Sequence, residues 1–274
     1  MRICFENSIG SVVFGDTGDF KIIEIDGLAF QPKIRNMTGF TGFEGEYCLG
    51  ERMGARAITI KGDIQNNPKI IKNAVRVLME DGVLKIRRGS AERCINAVCT
   101  GFEMSDKGNM YKAFIIQFSA DCPYFEDVCE NEVNLFSRTK LIKTSFVLPT
   151  MFTRRESKAD IFNTGDTKCE PVFEILSRSD NESGNVILDN LTTDTRLVVE
   201  HTMKQNERVM VDIKNRTVIS DSNGEILGAI SEDSFLSDFL LEKGRNTILV
   251  TNESGGEITV RCRFKNRYAE CVVR

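Results

Sequence analysis

The chain has 274 residues, of which 41% are apolar and 28% charged, with 21 glycines and five prolines. This composition excludes a collagen-like, low-complexity or disordered chain, and its apolar fraction can fill a sizeable core. The formal net charge is -4 and the basic residues are scattered, so the sequence shows no general attraction to nucleic acid. No apolar run approaches the roughly 18 residues of a membrane helix, which predicts no membrane insertion.

The first half of the sequence predicts β-strands and a single helix. Residues 20–27 indicate a strand and a turn, and residues 57–64 alternate as a further strand. Asn67 and Pro68 have the residue types of a helix cap and a first helical turn. The predicted buried face of this helix consists of Ile70, Ile71, Ala74, Val75, Leu78 and Met79.

Three more strands follow the helix and complete the first half. They are predicted at residues 83–88, 93–99 and 111–120, the last two paired with each other. The polar, strand-poor passage after them indicates a junction, which we place near residue 145. The predicted domains are therefore residues 1–145 and 146–274.

The second half predicts a β-sandwich built from hairpins. A first hairpin turns at residues 214–216 and places its apolar residues on one face: Val209, Val211, Ile213 and Val218. A second hairpin is predicted from the strand 247–250, a turn at residues 255–256 and the strand 258–264.

Several of these segments, in this order, resemble one protein family. They are ITIKGDI (58–64), DGVLKI (81–86), DCPYF (121–125), DIKNRTV (212–218), GRNTILV (244–250) and the closing RY (267–268). Together they resemble the distal tail (Dit) proteins, the ring-forming family at the tail tip of long-tailed, siphovirus-type bacteriophages. The bridge at residues 235–239 departs from the family, many of whose members place a tryptophan there; this chain has none.

The resemblance implies a mainly β protein with an N-terminal β-sandwich or split-barrel-like ring domain that contains one helix, followed by a C-terminal galectin-like β-sandwich. It also implies a structural virion protein at the tail tip, made in the host bacterial cytoplasm, whose six copies close a ring. Its implied partners are further copies of itself, the tail-tube protein and a tail-tip or tail-associated lysin protein. A receptor-binding protein is a further partner that the resemblance allows.

Reactive residues at fixed spacing are missing from the sequence, which predicts no enzyme and no cofactor. The single histidine, His201, lies in a strand-like segment, and its neighbour Glu200 would face the other side of that strand. Nine cysteines include no CxxC pair and are expected to be reduced. Residues 39–54 are rich in glycine but contain neither phosphate-binding motif. We therefore assign no catalytic, metal or cofactor-binding residue.

Three aromatic residues in the glycine-rich stretch 38–54, which we predict to be a long loop, are the candidate subunit interface: Phe40, Phe43 and Tyr47. Exposed aromatic side chains on such a loop favour protein contacts, although packing back onto the same domain fits the pattern equally well.

Two other functions fit a β-sandwich. A carbohydrate-binding module contacting cell-wall glycans is the main alternative, and Tyr268 is its stacking candidate in the second half. The third reading is a glycan hydrolase, for which the 40 acidic residues offer no reason to choose a pair.

Overall fold

The structure is a computed structural model, and it describes residues 1–16, 18–42, 44–106, 110–137, 156–178, 185–253 and 257–271. The chain forms two compact units. The barrel unit contains Met1–Val128 and the C-terminal segment that begins at Arg267, and the sandwich unit contains Cys129–Asn266. The sandwich unit is therefore inserted into the barrel unit. The predicted boundary near residue 145 lies outside the described residues.

The described residues are mostly in β-strands. Those of the first part are β1 (Arg2–Glu6), β2 (Ser11–Gly15), β3 (Phe20–Asp26), β4 (Lys33–Thr38), β5 (Tyr47–Met53), β6 (Arg56–Gln65), helix α1 (Pro68–Leu78), β7 (Gly82–Arg88), β8 (Ala91–Asp106), β9 (Tyr111–Ala120) and β10 (Phe125–Asp127). The sandwich unit contains β11 (Asn131–Ser137), β12 (Glu156–Asn163), β13 (Val172–Ser177), β14 (Val186–Asn190), β15 (Thr195–Val199), β16 (Arg208–Asp212), β17 (Thr217–Ser220), β18 (Gly224–Glu225), β19 (Gly244–Asn252) and β20 (Ile258–Phe264). The last strand is β21 (Arg267–Tyr268).

Seven strands of the barrel unit close into a barrel in the order β8-β7-β1-β2-β3-β6-β9, because β8 pairs with both β7 and β9. A cluster of phenylalanines fills its interior. The ring centroids of Phe5 and Phe118 lie 5.0 Å apart, and those of Phe20 and Phe114 lie 5.1 Å apart. Such tilted and edge-to-face pairs are the arrangements that aromatic rings favour. The predicted mainly β fold with one helix is confirmed.

Helix α1 begins where the sequence predicts. The Asn67 side chain accepts a hydrogen bond from the Lys69 backbone N–H at 3.0 Å, and Pro68 occupies the first turn. The helix packs against β2 and β8.

The buried face of α1 is narrower than predicted. Ala74, Val77 and Leu78 are buried, whereas Val75 is 37% exposed and Met79 79% exposed. At 3.6 residues per turn, Val75 and Met79 lie about 140° and 180° around the helix from Ile70, which is too far for one buried face. The prediction that they belong to the core is wrong.

Arg56, the first residue of β6, is a buried charge that joins three distant segments. Its guanidinium donates hydrogen bonds to the carbonyl oxygens of Gly27 (2.5 Å), Ala29 (2.8 Å), Pro123 (2.6 Å) and Ala269 (2.6 Å). It also lies 4.5 Å from the centroid of the Phe125 ring. Burial lowers the pKa of Arg56, but a guanidinium keeps its charge in proteins. Gly27 reaches this position with a φ of 90°, where a side chain would be strained.

The C-terminal segment is an integral part of the barrel unit. Strand β21 pairs antiparallel with β10, and the Arg93 guanidinium lies 3.6 Å from the centroid of the Tyr268 ring. The Tyr268 hydroxyl donates to an Asp127 carboxylate oxygen at 3.0 Å. The Cys271 backbone N–H donates to the Leu28 carbonyl at 2.9 Å. A strand pair, a stacked arginine and two further hydrogen bonds thus bind the segment to the rest of the barrel unit.

The cysteines are free thiols, as predicted. All nine lie in the described part of the chain and none forms a disulfide. Burial raises the pKa of Cys271 to about 11, even though nearby arginines act in the opposite direction. A thiol with such a pKa stays protonated and unreactive at neutral pH.

The sandwich unit has two sheets around one core. A six-stranded sheet has the order β11-β20-β13-β16-β17-β18, and a four-stranded sheet has the order β12-β19-β14-β15. The predicted hairpin around residues 214–216 is confirmed as β16 and β17. The bridge at residues 235–239 contains Phe239 and no tryptophan. Phe239 is buried and packs edge-to-face on Phe173, with 5.2 Å between the ring centroids.

The second predicted hairpin is wrong. Strand β19 pairs with β12 and β14, whereas β20 pairs with β11 and β13, so the chain crosses from one sheet to the other. Both strands turn alternate residues into the same core, and this pattern is identical for a hairpin and for a crossing between sheets. The predicted turn at residues 255–256 lies outside the described residues.

A polar cluster is buried at one end of the sandwich unit. The Glu207 carboxylate accepts hydrogen bonds from the Ser220 hydroxyl at 2.5 Å and the Lys204 backbone N–H at 2.8 Å, and one of its oxygens lies 2.8 Å from His201 Nε2. Burial opposes ionisation of this carboxyl, but the hydrogen bonds outweigh it and hold its pKa below the ordinary value.

Among the described residues, no helix has the length and apolar character to cross a membrane.

The substitution Arg56→Met should destabilise the barrel unit by about 3–5 kcal/mol, because four carbonyl groups lose the donor that joins their segments. All four tyrosines of the chain, at positions 47, 111, 124 and 268, belong to the barrel unit, and there is no tryptophan. Tyrosine fluorescence during urea unfolding therefore follows this unit alone. The exposed Arg52→Met is the control and should change little. An unchanged unfolding midpoint in Arg56→Met would contradict the assignment.

The substitution Glu207→Gln should destabilise the sandwich unit by roughly 1–3 kcal/mol at pH 7. A carboxyl whose pKa is lowered by folding contributes stability above its unfolded pKa of about 4.3, and this contribution is lost as the pH falls. The difference from wild type in calorimetric unfolding should therefore shrink below about pH 4.3. The exposed Glu232→Gln serves as control. A difference that stays constant with pH would show that ionisation of Glu207 plays no part.

Candidate subunit interface

Strands β4 and β5 form a separate two-stranded hairpin between β3 and β6. Lys33 pairs with Met53 at its base and Thr38 with Tyr47 near its tip, with an irregularity after Asn36. The predicted long loop at residues 38–54 is therefore wrong for residues 47–53, which form β5. Both faces of β5 are exposed, so its sequence lacks the apolar alternation that marks a half-buried strand.

The hairpin carries several exposed apolar side chains: Ile34, Met37, Phe40, Tyr47 and Leu49. Phe30, just before β4, is exposed as well. A lone two-stranded hairpin is marginally stable in water. Contiguous exposed apolar surface commonly marks a site of protein contact. The hairpin is thus suited to binding a protein surface that covers it.

Two of the three predicted interface residues lie together near the tip of the hairpin. The ring centroids of Phe40 and Tyr47 are 5.8 Å apart in an edge-to-face arrangement, and the side chains are 59% and 55% exposed. Phe43 lies outside the described residues. The pair presents two adjacent aromatic surfaces, and its contact with another subunit stays a prediction.

Charge is distributed unevenly along the hairpin. We define the hairpin tip as residues 38–42 and 44–47, which include the acids Glu44 and Glu46 and no basic residue. Both glutamates are exposed, and neither forms an ion pair with another described residue. Near the base, the Lys33 ammonium contacts the Glu51 carboxylate, and this hydrogen bond lowers the pKa of Glu51. The tip is therefore aromatic and acidic, while the acid near the base, Glu51, is paired with Lys33.

The polar cluster around His201 differs from a nucleophile activated by a base. The Ser220 hydroxyl donates to Glu207, not to the imidazole, and Ser220 is buried. In a catalytic triad, the histidine would accept the hydroxyl proton and the acid would bind the far side of the imidazole. Sequence analysis missed Glu207, because a lone glutamate before a strand carries no pattern. Within the described ranges, no group of His, Cys, Asp or Glu side chains could hold a metal ion.

Tyr268 lies in β21 of the barrel unit, although sequence analysis considers it a stacking residue of the C-terminal sandwich. The Arg93 guanidinium covers one face of its ring, and its hydroxyl is bound to Asp127. One face of the ring is therefore already occupied by a structural partner, which leaves less of it for stacking on a sugar.

Comparison with known proteins shows a resemblance to phage tail components. Residues 164–268 match the sequence family described as siphovirus-type tail component, C-terminal domain. No curated protein matches the chain by sequence.

Solved structures resemble nearly the whole chain. The Dit protein of phage SPP1, titled a paradigm of the hub adsorption apparatus in phages that infect Gram-positive bacteria, has a TM-score of 0.67 and 15% identity over 90% of this chain and 93% of its own. A chain of the phage P2 baseplate in its activated conformation with Ca has a TM-score of 0.52 and 12% identity, covering 97% of both chains. A chain of a second structure of that baseplate, with Sr, has a TM-score of 0.50 and 12% identity, covering 96% of this chain and 97% of that chain.

The fold of the Dit protein therefore extends over both units, and residues 164–268 carry the family's own sequence pattern. The resemblance to the distal tail (Dit) proteins on which sequence analysis relied is thereby confirmed: residues 164–268 match a siphovirus-type tail component by sequence, and the chain has the fold of a Dit protein.

Proposed function

We propose that six copies of this protein close a ring at the distal end of a phage or prophage tail and act there as the hub of the adsorption apparatus. The observation that carries the proposal is the likeness of fold, over 90% of this chain, to a Dit protein described as a paradigm of such a hub. The family match of residues 164–268 supports it independently at the level of sequence.

A ring makes a specific demand on each subunit. Its single type of contact is heterologous, so every copy must offer two different and complementary surfaces. The exposed hairpin of β4 and β5 supports the proposal by supplying one such surface. We place the ring contacts in the barrel unit, in agreement with the predicted ring-forming role of residues 1–145.

The ring would connect the tail-tube protein to a tail-tip or tail-associated lysin protein, and a receptor-binding protein would attach around it. Its central opening would let DNA pass. The net charge of -4 suits such a channel, because an acidic wall does not retain a polyanion. In this role the protein assembles and catalyses no reaction, which agrees with the absence of a catalytic motif from its sequence.

Carbohydrate binding by the sandwich unit is the less favoured alternative. It depended on Tyr268 as an aromatic platform, and this residue belongs to the barrel unit with Arg93 over its ring. A glycan array on the intact protein tests the alternative directly. Specific binding that survives Tyr268→Ala would require another site on the sandwich unit.

The proposal predicts assembly of the purified chain. Negative-stain images should show six-fold rings with a central opening, and light scattering should give six times the 30.8 kDa of one chain. Both measurements should cover a wide concentration range and include the tail-tube protein as a template. A monomer under all of these conditions would contradict the ring.

The double substitution Phe40→Ser/Tyr47→Ser should weaken ring assembly by about 100-fold or more, because buried aromatic residues dominate interface affinity. Thermal stability should hardly change, since both side chains are exposed in the single chain. The matched control is Phe162→Ser/Phe235→Ser, which removes two equally exposed aromatic residues from the sandwich unit. Rings of unchanged stability in the Phe40 and Tyr47 variant would remove the hairpin from the interface.

A further inference from the structure

The exposed side of helix α1 forms a groove of about 610 Å³ at the surface of the barrel unit. Its apolar floor consists of Ile9, Val75 and Met79, all exposed. Val75 and Met79 belong to the helix face that was predicted to be buried, and Ile9, between β1 and β2, lines the same groove. Exposed apolar side chains that line one groove favour a surface that another protein covers.

Basic residues border the apolar floor. Lys72 and Arg76 are one helical turn apart on the flank next to Met79, and Lys69 lies beside them. All three are exposed, and none forms an ion pair with another described residue. The acid Glu80 lines one end of the groove. The groove therefore combines an apolar floor with an excess of positive charge.

We infer that this groove binds the hairpin tip of a second copy of the same chain. The two surfaces are complementary in both respects that matter for binding. The tip carries Phe40 and Tyr47, which suit an apolar floor, and the unpaired acids Glu44 and Glu46, which suit a basic border. The inference rests on the proposed ring function, because it names the two surfaces that meet in the ring.

The groove is large enough for the tip. Its volume lies within the roughly 300–1,000 Å³ typical of pockets that enclose a small ligand, and two adjacent aromatic side chains are of that size. Exposed ion pairs contribute little affinity by themselves. The aromatic pair would supply most of the affinity, and the charges would select the partner and the orientation.

The same arrangement explains why the contact joins different copies. Tip and groove are different surfaces of one chain, and both are exposed within that chain. A tip that binds the groove of the next copy leaves that copy's own tip free for a third. Repetition of this contact gives a heterologous interface, which closes into a ring when the rotation allows it.

Charge reversal tests the inference with two variants of the full-length protein. The groove variant Lys69→Glu/Lys72→Glu/Arg76→Glu makes both surfaces acidic, and the tip variant Glu44→Lys/Glu46→Lys makes both basic. Each variant alone should lose assembly by about 100-fold or more, since like charges then face each other. A 1:1 mixture should restore rings, because every contact in an alternating ring joins opposite charges, and six positions permit this alternation.

The control is Lys168→Glu/Arg216→Glu/Lys243→Glu, which reverses three exposed residues of the sandwich unit. It changes the net charge by the same amount as the groove variant and alters neither the groove nor the tip. It should assemble like wild type. Circular dichroism and tyrosine fluorescence should show that all variants are folded.

The outcomes separate the inference from the ring itself. Normal rings in the groove variant would overturn the inference and leave the ring function intact. Two variants that fail alone and also fail as a mixture would show that groove and tip do not bind each other. Failure of the wild-type protein to form rings, even with the tail-tube protein, would overturn the ring function and the inference with it.

Discussion

A single buried guanidinium fixes the arrangement of the barrel unit. Removal of the Arg56 charge from water is costly, and the structure offsets that cost with four carbonyl acceptors and an aromatic ring. The acceptors come from the turn after β3, the segment before β10 and the C-terminal segment. A shift of any one of them would deprive the buried charge of a hydrogen bond. The first strand of the hairpin leaves from the segment that carries two of these acceptors, so the base of the hairpin is held by the same interaction.

The insertion of the sandwich unit has a simple basis in strand pairing. On the barrel side, β10 pairs with β21, and on the sandwich side, β11 pairs with β20. The chain leaves and re-enters the barrel unit through adjacent strands, so an entire domain can be accommodated there without disturbing the barrel.

Sequence analysis succeeded where local chemistry determines local structure. Asn67 and Pro68 predicted the start of α1, and the alternating valines around residues 214–216 predicted a hairpin. It failed where the answer depends on distant residues. The burial of Arg56 follows from carbonyls up to 213 positions away, and β19 and β20 have the same pattern whether they pair or face each other. The aromatic residue types of the glycine-rich stretch singled out Phe40 and Tyr47, whose contact with another subunit stays a prediction. The exposed apolar side of α1 was missed, because Val75 and Met79 are residue types of a core.

The dependence of Arg56 on Ala269 also sets an order of events during translation. The sandwich unit is synthesised before residue 269, so it can fold while the barrel unit still lacks β21 and one acceptor of its buried charge. Only a ribosome that has passed this point releases a chain with a complete barrel unit. Prematurely terminated chains would therefore carry a defective barrel and be open to proteolysis. The integrity of the barrel unit thus indicates that synthesis has reached at least Ala269.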